Sequence, residues 1–301
     1  MIAKFKIIVL LLVIAALHNA ALAQADSLKA RVDKIIKDSE CSVGICIRHV
    51  ETGETFLFNN SSKYPMQSVF KFPLALAVLD KVDKGELSLD KTINVTKNDL
   101  LPNTWSPMRD KYPDGAELKL SEIISFTVSQ SDNNGCDLLF RLAGGPSEVN
   151  KYIHSLGVND INIQNNEKEM HADYSLQFLN WAKPSALADL LGMLHKGSVL
   201  SKSSNDFLLK VMTETTTGPK RIKGLLPEGT AVAHKTGSSG ANEKGMTAAC
   251  NDAGIVTLPG GSHYIVSAFV SMSENSEAYN DSIIANISKL AWDYFTAEKT
   301  K

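Results

Sequence analysis

The segment at 27–40, SLKARVDKIIKDSE, repeats its apolar residues near helical spacing. Two alternating runs follow, SVGICIRHV and TFLFNN, joined by the turn ETGE at 51–54. The chain thus opens helix, strand, strand. From about Tyr64 to Met212 the pattern is almost wholly helical: VFKFPLALAVLDKV, SEIISFTVSQS, GCDLLFRLAG, EVNKYIHSLG, PSALADLLGMLHKG and SNDFLLKVMTE alternate with polar or glycine-bearing connectors. Strand-like runs return in TAVAHKTGSS, GMTAACNDAGIVTL and SHYIVSAFV, with PGGS at 259–262 as a hairpin turn. A last helix, SIIANISKLAWDYF, covers 282–295. The simplest assembly is an α+β fold, an α/β sandwich. One antiparallel five-stranded sheet is built from both ends of the chain, flanked by the terminal helices, with an all-helical domain inserted between its second and third strands. This expectation assigns 24–63 and 213–301 to a discontinuous α/β domain and 64–212 to a helical one. A cleft between domains is a favoured place for a site.

The extreme N-terminus breaks this pattern. Lys4 and Lys6 precede an apolar run from Ile7 to Leu17, and Ala21-Leu22-Ala23 precedes Gln24, which reads as a signal peptide over 1–23. The run of 11 apolar residues is short of the roughly 20 that a spanning helix needs. No cysteine follows the cleavage site to carry a lipid. A periplasmic protein is therefore expected, without stable membrane association after cleavage. The net charge of −2 is spread over scattered residues, which argues against a nucleic-acid partner. With 44% hydrophobic residues there is enough material for a sizeable core, and a monomer acting on a small molecule is expected. Cys41, Cys46, Cys136 and Cys250 allow three disulfide pairings in an exported protein. Cys41 and Cys46 lie five apart on one predicted strand and point to opposite faces, so free buried thiols are favoured.

Candidate chemistry begins at Ser68 and Lys71, three positions apart where a helix starts, so the two side chains share a face. A serine needs a base before it becomes a nucleophile, and a lysine whose charge is disfavoured can supply one. Taken singly, Ser-x-x-Lys is also what an N-capping serine and a surface lysine would give. Two further motifs accompany it: Ser131-Asp132-Asn133 between two helical runs, and Lys235-Thr236-Gly237 on a predicted strand. In this order and spacing the three motifs are the signature of class A β-lactamases and penicillin-binding proteins.

Over essentially all of its mature length the chain resembles the class A serine β-lactamases. SVFK, SQSDNNGCD, TTTGPKRIKGLLPEGTAVAHKTGSSG and NDAGIVTLP are similar to the extended-spectrum branch found in Bacteroides-like and related Gram-negative bacteria. The resemblance implies hydrolysis of a β-lactam through an acyl-enzyme on Ser68, without a cofactor. It implies an oxyanion hole from the backbone N–H groups of Ser68 and Ser238, and Ser131 as proton donor to the leaving nitrogen, with Lys71 and Lys235 around it. Asn133 would meet the substrate's side-chain carbonyl, and Lys235, Thr236, Gly237 and Ser238 its carboxylate. Arg221 matches an arginine that points towards that carboxylate in related enzymes.

Release of the acyl-enzyme separates a β-lactamase from a penicillin-binding peptidase or a β-lactam sensor. The resemblance assigns it to a glutamate on a long loop, here within NNEKEMHADYS at 165–175. Glu167 is the match and Glu169 the competing candidate. The family commonly reads Glu-x-x-Leu-Asn, often with proline directly after the glutamate. This chain has Lys168 there and His171 in place of the asparagine. Histidine can also support a water, so a rearranged loop and a wider cleft suited to bulky oxyimino-cephalosporins are expected. Trp105 matches an aromatic at the cleft rim. Gln67 occupies the place where some members carry a bridging cysteine. His49, His154, His171, His195, His234 and His263 show no metal-ligand spacing, so no metal is expected. His234 should face away from Lys235 and pack.

Overall fold

The structure, a computed structural model, describes residues 23–297. The signal peptide expected over 1–23 therefore lies outside the described residues except for its last position. α1 (23–38) leads into β1 (Ser42–His49) and β2 (Thr55–Phe58). The turn between them closes by His49 N–H to Glu54 O at 2.9 Å, with Gly53 at φ +76°. The chain continues through β3 (Tyr64–Pro65), a 3-10 turn (Gln67–Phe70) and α2 (Lys71–Asp83). A hairpin of β4 (Thr92–Thr96) and β5 (Gly115–Lys119) encloses α3 (Pro107–Lys111). α4 (Leu120–Ser129), α5 (Asn133–Ala143) and α6 (Pro146–Ser155) follow. A long excursion carries β6 (Ile161–Asn162), α7 (Glu167–Ala172) and β7 (Trp181–Ala182). α8 (Pro184–Lys196) and α9 (Lys202–Thr213) precede β8 (Val232–Ser238), β9 (Thr247–Thr257), β10 (His263–Ser273) and α10 (Glu277–Ala297).

Five strands make one antiparallel sheet in the order β2-β1-β10-β9-β8, so both ends of the chain contribute, as the strand-like runs at each end implied. Alternation of side chains along a strand also sorts the core. Val43, Ile45 and Ile47 face Leu28 and Val32 of α1 and Ile283 and Ile287 of α10, while Cys46, Ile265 and Phe269 face the helical layer. Cys41 packs on the α1 and α10 side, opposite to Cys46, and all four cysteines are free. Burial pushes the thiols of Cys46 and Cys250 up to about 12, which keeps them unreactive.

Every residue from Lys71 to Leu79 is buried, which is what an apolar-all-round helix requires. Between residues 64 and 212 the structure adds what the helical pattern did not show: the β4–β5 hairpin and a small sheet of β3, β7 and β6. Strands of two to five residues are too short to impose a period-two signal.

β1 approaches the helical layer closely at Gly44. A Cβ there would lie 2.3 Å from the ring of Tyr64, which is fully buried and stacked on Phe269 with ring centroids 5.6 Å apart. Gly44→Ala should therefore lower stability by about 1–3 kcal/mol through overpacking, seen as a reduced Tm in thermal unfolding.

Candidate active site

β8 is an edge strand of the sheet, and it runs directly past the 3-10 turn that carries Ser68. Gly237 is the closest approach: a Cβ there would lie 2.4 Å from Met66 O and 3.1 Å from Ser68 N. Only a residue without a side chain fits, because the neighbours are backbone. Asn251 on β9 donates from Nδ2 to Pro65 O at 2.8 Å and Met66 O at 3.1 Å. Met66 N–H donates to Asn180 O at 2.9 Å. Gln67 then takes a left-handed conformation, φ +46°, a strain of about 1–3 kcal/mol that these anchors must hold. Ser68 caps no helix with its side chain; its hydroxyl instead accepts from Lys71 Nζ at 3.0 Å.

Lys71 is fully buried in the first turn of α2. Besides Ser68 Oγ, its ammonium donates to Ser131 O at 2.9 Å and to Asn133 Oδ1. These three acceptors use all three N–H groups. Glu167 Oε1 lies 2.9 Å away as a fourth neighbour, and with no proton left to receive, its contact is a charge–charge one. One cation thus gathers oxygens from four separate stretches of sequence.

Ser131 sits at φ +61° before α5, which turns its carbonyl to Lys71 and its hydroxyl to Lys235 Nζ at 2.9 Å. Lys235 is fully buried, and its second acceptor is Thr236 O at 2.9 Å. Burial, followed by the charge of Lys71, holds its amine well below the usual lysine range, so it gives up a proton more readily than a surface lysine. Asp132, the middle residue of the motif, caps α5 through Gly135 N–H and accepts from Ser106 Oγ and Met108 N–H. It ties the loop before α3 to α5. Asn133 uses one amide hydrogen on Thr104 Oγ1, and its N–H binds Trp105 O at 3.0 Å.

Glu167 opens α7, where the sequence pattern implied only loop. Of the two glutamates, Glu167 reaches Lys71, whereas Glu169 turns back to cap the helix with Asn166, its Oε2 accepting from Asn166 N–H at 2.9 Å. Two supports escaped the sequence reading. Asp137 on α5 accepts from the N–H groups of Glu167 at 2.8 Å and Lys168 at 3.0 Å. Burial, with the Glu167 charge adding to it, pushes the Asp137 carboxyl up to about 6. Asn180 is fully buried and closes the neck of the excursion through bonds to Gln164 N–H, Asn165 N–H and Asn165 O. An acidic residue one helical turn after Asn133 was the available signal for Asp137. Asn180 had none.

His171 is exposed one turn beyond Glu167 and lines, with Glu167, Gln67, Asn133 and Ser238, a cavity of about 300 Å³. Gln67 Nε2 donates to Gln177 Oε1, joining the nucleophile turn to this excursion. A larger cleft of about 830 Å³ is lined by Ser68, Trp105, Ser131, Thr236, Ser238 and Arg221, among others. Trp105 is 61% exposed at its rim, with Nε1–H held by Gln130 O at 2.9 Å. Arg221 is only 3% exposed. Its guanidinium donates to Asp281, to Gly237 O and Asn251 O, and to Ser238 Oγ at 2.7 Å, so it sits behind Ser238 rather than across open space. Thr236 Oγ1 lies 2.6 Å from Thr217 Oγ1. His234 faces away from Lys235, in a fully buried pair with Asp252 at 2.9 Å rather than in plain apolar packing. Lysine ammoniums and a single carboxylate around Ser68 do not form a metal-ligand set.

A serine at the floor of a helix start, a buried lysine beside it and an edge strand across the cleft place the protein in the serine β-lactamase and penicillin-binding class of fold. The β-lactamase enzyme family matches residues 27–295. β-Lactamase VEB-1 of Pseudomonas aeruginosa is 45% identical over 275 residues, 91% of this chain and 92% of that protein. Extended-spectrum β-lactamase PER-1 of the same organism is 42% identical over 273 residues, 90% and 88% of the two chains. The crystal structure of a β-lactamase from Chitinophaga pinensis superposes with a TM-score of 0.88 at 53% identity, covering 89% of this chain and 98% of that one. The chain belongs to the β-lactamase enzyme family, in its class A branch.

Two outcomes follow from this geometry. Gly237→Ala should reduce kcat for a chromogenic cephalosporin by about a hundredfold or more, because the added Cβ pushes β8 away from the Ser68 backbone. Asp137 binds its proton more tightly folded than unfolded, so its contribution to stability is full below about 4 and is lost as the pH rises towards about 6. The difference in unfolding free energy between wild type and Asp137→Asn should change across that window and level off above it, as followed by denaturant titration at a series of pH values.

Proposed function

We propose that the protein opens the β-lactam ring of penicillins and cephalosporins through an acyl-enzyme on Ser68 and releases the product with a water activated by Glu167. The observation that carries this reading is the Lys71 ammonium placed between Ser68 Oγ at 3.0 Å and Glu167 Oε1 at 2.9 Å. Ser68 Oγ attacks the lactam carbonyl, and its proton passes to Glu167, either through a water or through Lys71, which gives one of its own protons to Glu167 Oε1 at 2.9 Å as it takes the one from Ser68. The N–H groups of Ser68 and Ser238 face the developing oxyanion, because Gly237 lets β8 lie against the nucleophile turn. The C–N bond breaks as the nitrogen takes the Ser131 hydroxyl proton. Ser131 is replenished by Lys235, which donates to its hydroxyl and is more acidic than usual, and Lys235 regains its proton from Glu167 by way of Lys71, which leaves Glu167 a carboxylate. In the second half, Glu167 takes a proton from water, the hydroxide attacks the ester, and Ser68 leaves with a proton returned to its oxygen.

The substrate carboxylate would lie along Thr236 and Ser238, with the charge of Arg221 relayed by the Ser238 hydroxyl it holds. One amide hydrogen of Asn133 is left for the substrate's side-chain carbonyl. Trp105 forms a stacking wall at the rim. Bulky oxyimino-cephalosporins are the proposed extended substrates: the relative PER-1 is described as an extended-spectrum enzyme, and the cleft of about 830 Å³ continues past Ser238 towards α10. His171 would support the deacylating water from its place beside Glu167. Among the described residues no helix is long and apolar enough to cross a membrane. The leader-like N-terminus supports a periplasmic location, where the enzyme would confer β-lactam resistance.

Turnover of a chromogenic cephalosporin by the purified protein tests the reading. Many turnovers per enzyme are expected, abolished in Ser68→Ala. A single stoichiometric burst would instead indicate a penicillin-binding peptidase or a sensor. Glu167→Ala should still acylate and should accumulate a covalent adduct in mass spectra of the intact protein. Undiminished steady-state turnover in that variant would remove Glu167 from its role.

A further inference from the structure

Three ligand-type side chains meet at the far end of the sheet from Ser68. Glu51 lies in the β1–β2 turn, His195 in the last turn of α8 and His263 at the first residue of β10. Their ligand atoms all lie within 4.8 Å of one another. Sequence spacing could not reveal this, because the three come from stretches far apart in the chain.

The set is organised rather than accidental. Glu51 Oε2 accepts the backbone N–H of His263 at 2.9 Å, and Oε1 lies 2.9 Å from His263 Nδ1. His49 Nδ1 accepts the Thr52 N–H at 3.2 Å, which helps to fix the turn that carries Glu51. The rings of His195 and His263 sit with centroids 4.2 Å apart. All three side chains are exposed or half-buried, so an ion has access from solvent. His195 also stands at the C-terminal end of α8, where the helix dipole favours a positive charge.

We propose that Glu51, His195 and His263 form a binding site for a zinc-type divalent transition-metal ion. Two imidazoles and one carboxylate are the donors such ions select over calcium or magnesium, and water would complete the coordination. Tetrahedral bonds of about 2.0–2.2 Å put neighbouring ligand atoms about 3.4 Å apart, so half-exposed side chains need to close by about 1.4 Å at most. Binding exchanges the proton shared between His263 and Glu51 for the metal, with that proton released to solvent. The bound ion would tie the β1–β2 turn, the start of β10 and the end of α8 into one unit. Ser238 aligns through Cys250 with Val270 of β10, seven residues from His263, or roughly 23 Å along the strand. The site is therefore a stabilising clamp, separate from the hydrolytic centre.

The test uses untagged protein stripped with a chelator and then titrated with ZnCl₂. Calorimetry should give saturable one-to-one binding, and Tm should rise with zinc concentration as mass action requires. Co²⁺ in place of zinc should give a visible absorption spectrum of bound nitrogen and oxygen donors. Glu51→Gln and His195→Gln should each weaken binding by about tenfold or more, and the Tm of each, whatever its value in chelator, should rise less with zinc than that of the wild type. Turnover of a chromogenic cephalosporin should be unchanged at one equivalent of zinc. Absence of saturable binding, or equal binding by both variants, overturns the proposal. So does inhibition of turnover by stoichiometric zinc, which would put the ion in the Ser68 cleft instead.

Discussion

The arrangement of the active site depends on one buried charge. Removing an ammonium from water costs several kcal/mol even after relaxation, and Lys71 is fully buried at the centre of the helical layer. Its position holds only because Ser68, Ser131 and Asn133 accept its three protons and Glu167 supplies the opposite charge. Each acceptor needs its own support. Asn251 and Gly237 hold the turn of Ser68, Asp132 caps the helix that presents Asn133, and Asp137 grips the backbone at Glu167. The polar network around the nucleophile is consequently a property of both faces of the cleft, and loss of Glu167 leaves the Lys71 charge without its counter-charge.

Lys235 faces the same problem with a different solution. It has no carboxylate partner at hydrogen-bond distance, only the Ser131 hydroxyl and a backbone carbonyl, and Lys71 stands nearby with like charge. A buried amine at the Ser131 hydroxyl, with its own charge disfavoured, lowers the cost of moving a proton through it. The left-handed backbone at Ser131 belongs to this arrangement, since it aims the carbonyl and the hydroxyl of one residue at two different amines.

The excursion carrying Glu167 departs from the common family pattern at Lys168 and His171, yet it is firmly held. Asn180 closes its neck, Gln177 binds Gln67, and Asp137 accepts at the N-terminus of α7. The short helix explains why proline after the glutamate is dispensable here: the cap formed by Asn166 and Glu169 starts the helix instead. Glu169, spent on this capping box, does not reach Lys71, whereas Glu167 does.

Much of this protein was legible in its residues alone. Period-two alternation marked the first two strands of the main sheet and strand-like runs the other three, apolar density marked α2 as buried, and three short motifs in order identified the family. Local geometry and composition suffice for such features because they act over a few neighbouring residues. Other features needed the folded chain. The α7 helix, the two small sheets and the support from Asp137 and Asn180 rest on contacts between distant segments. The ties of Arg221 to Asp281, at its back, and to Ser238, at the cleft, likewise join segments far apart in sequence. The meeting of Glu51, His195 and His263 had no local signature at all. Sequence determined which chemistry was present and on which elements it lay; only the tertiary structure decided which charges share a buried space, because Coulombic and hydrogen-bond partners are chosen by distance in three dimensions.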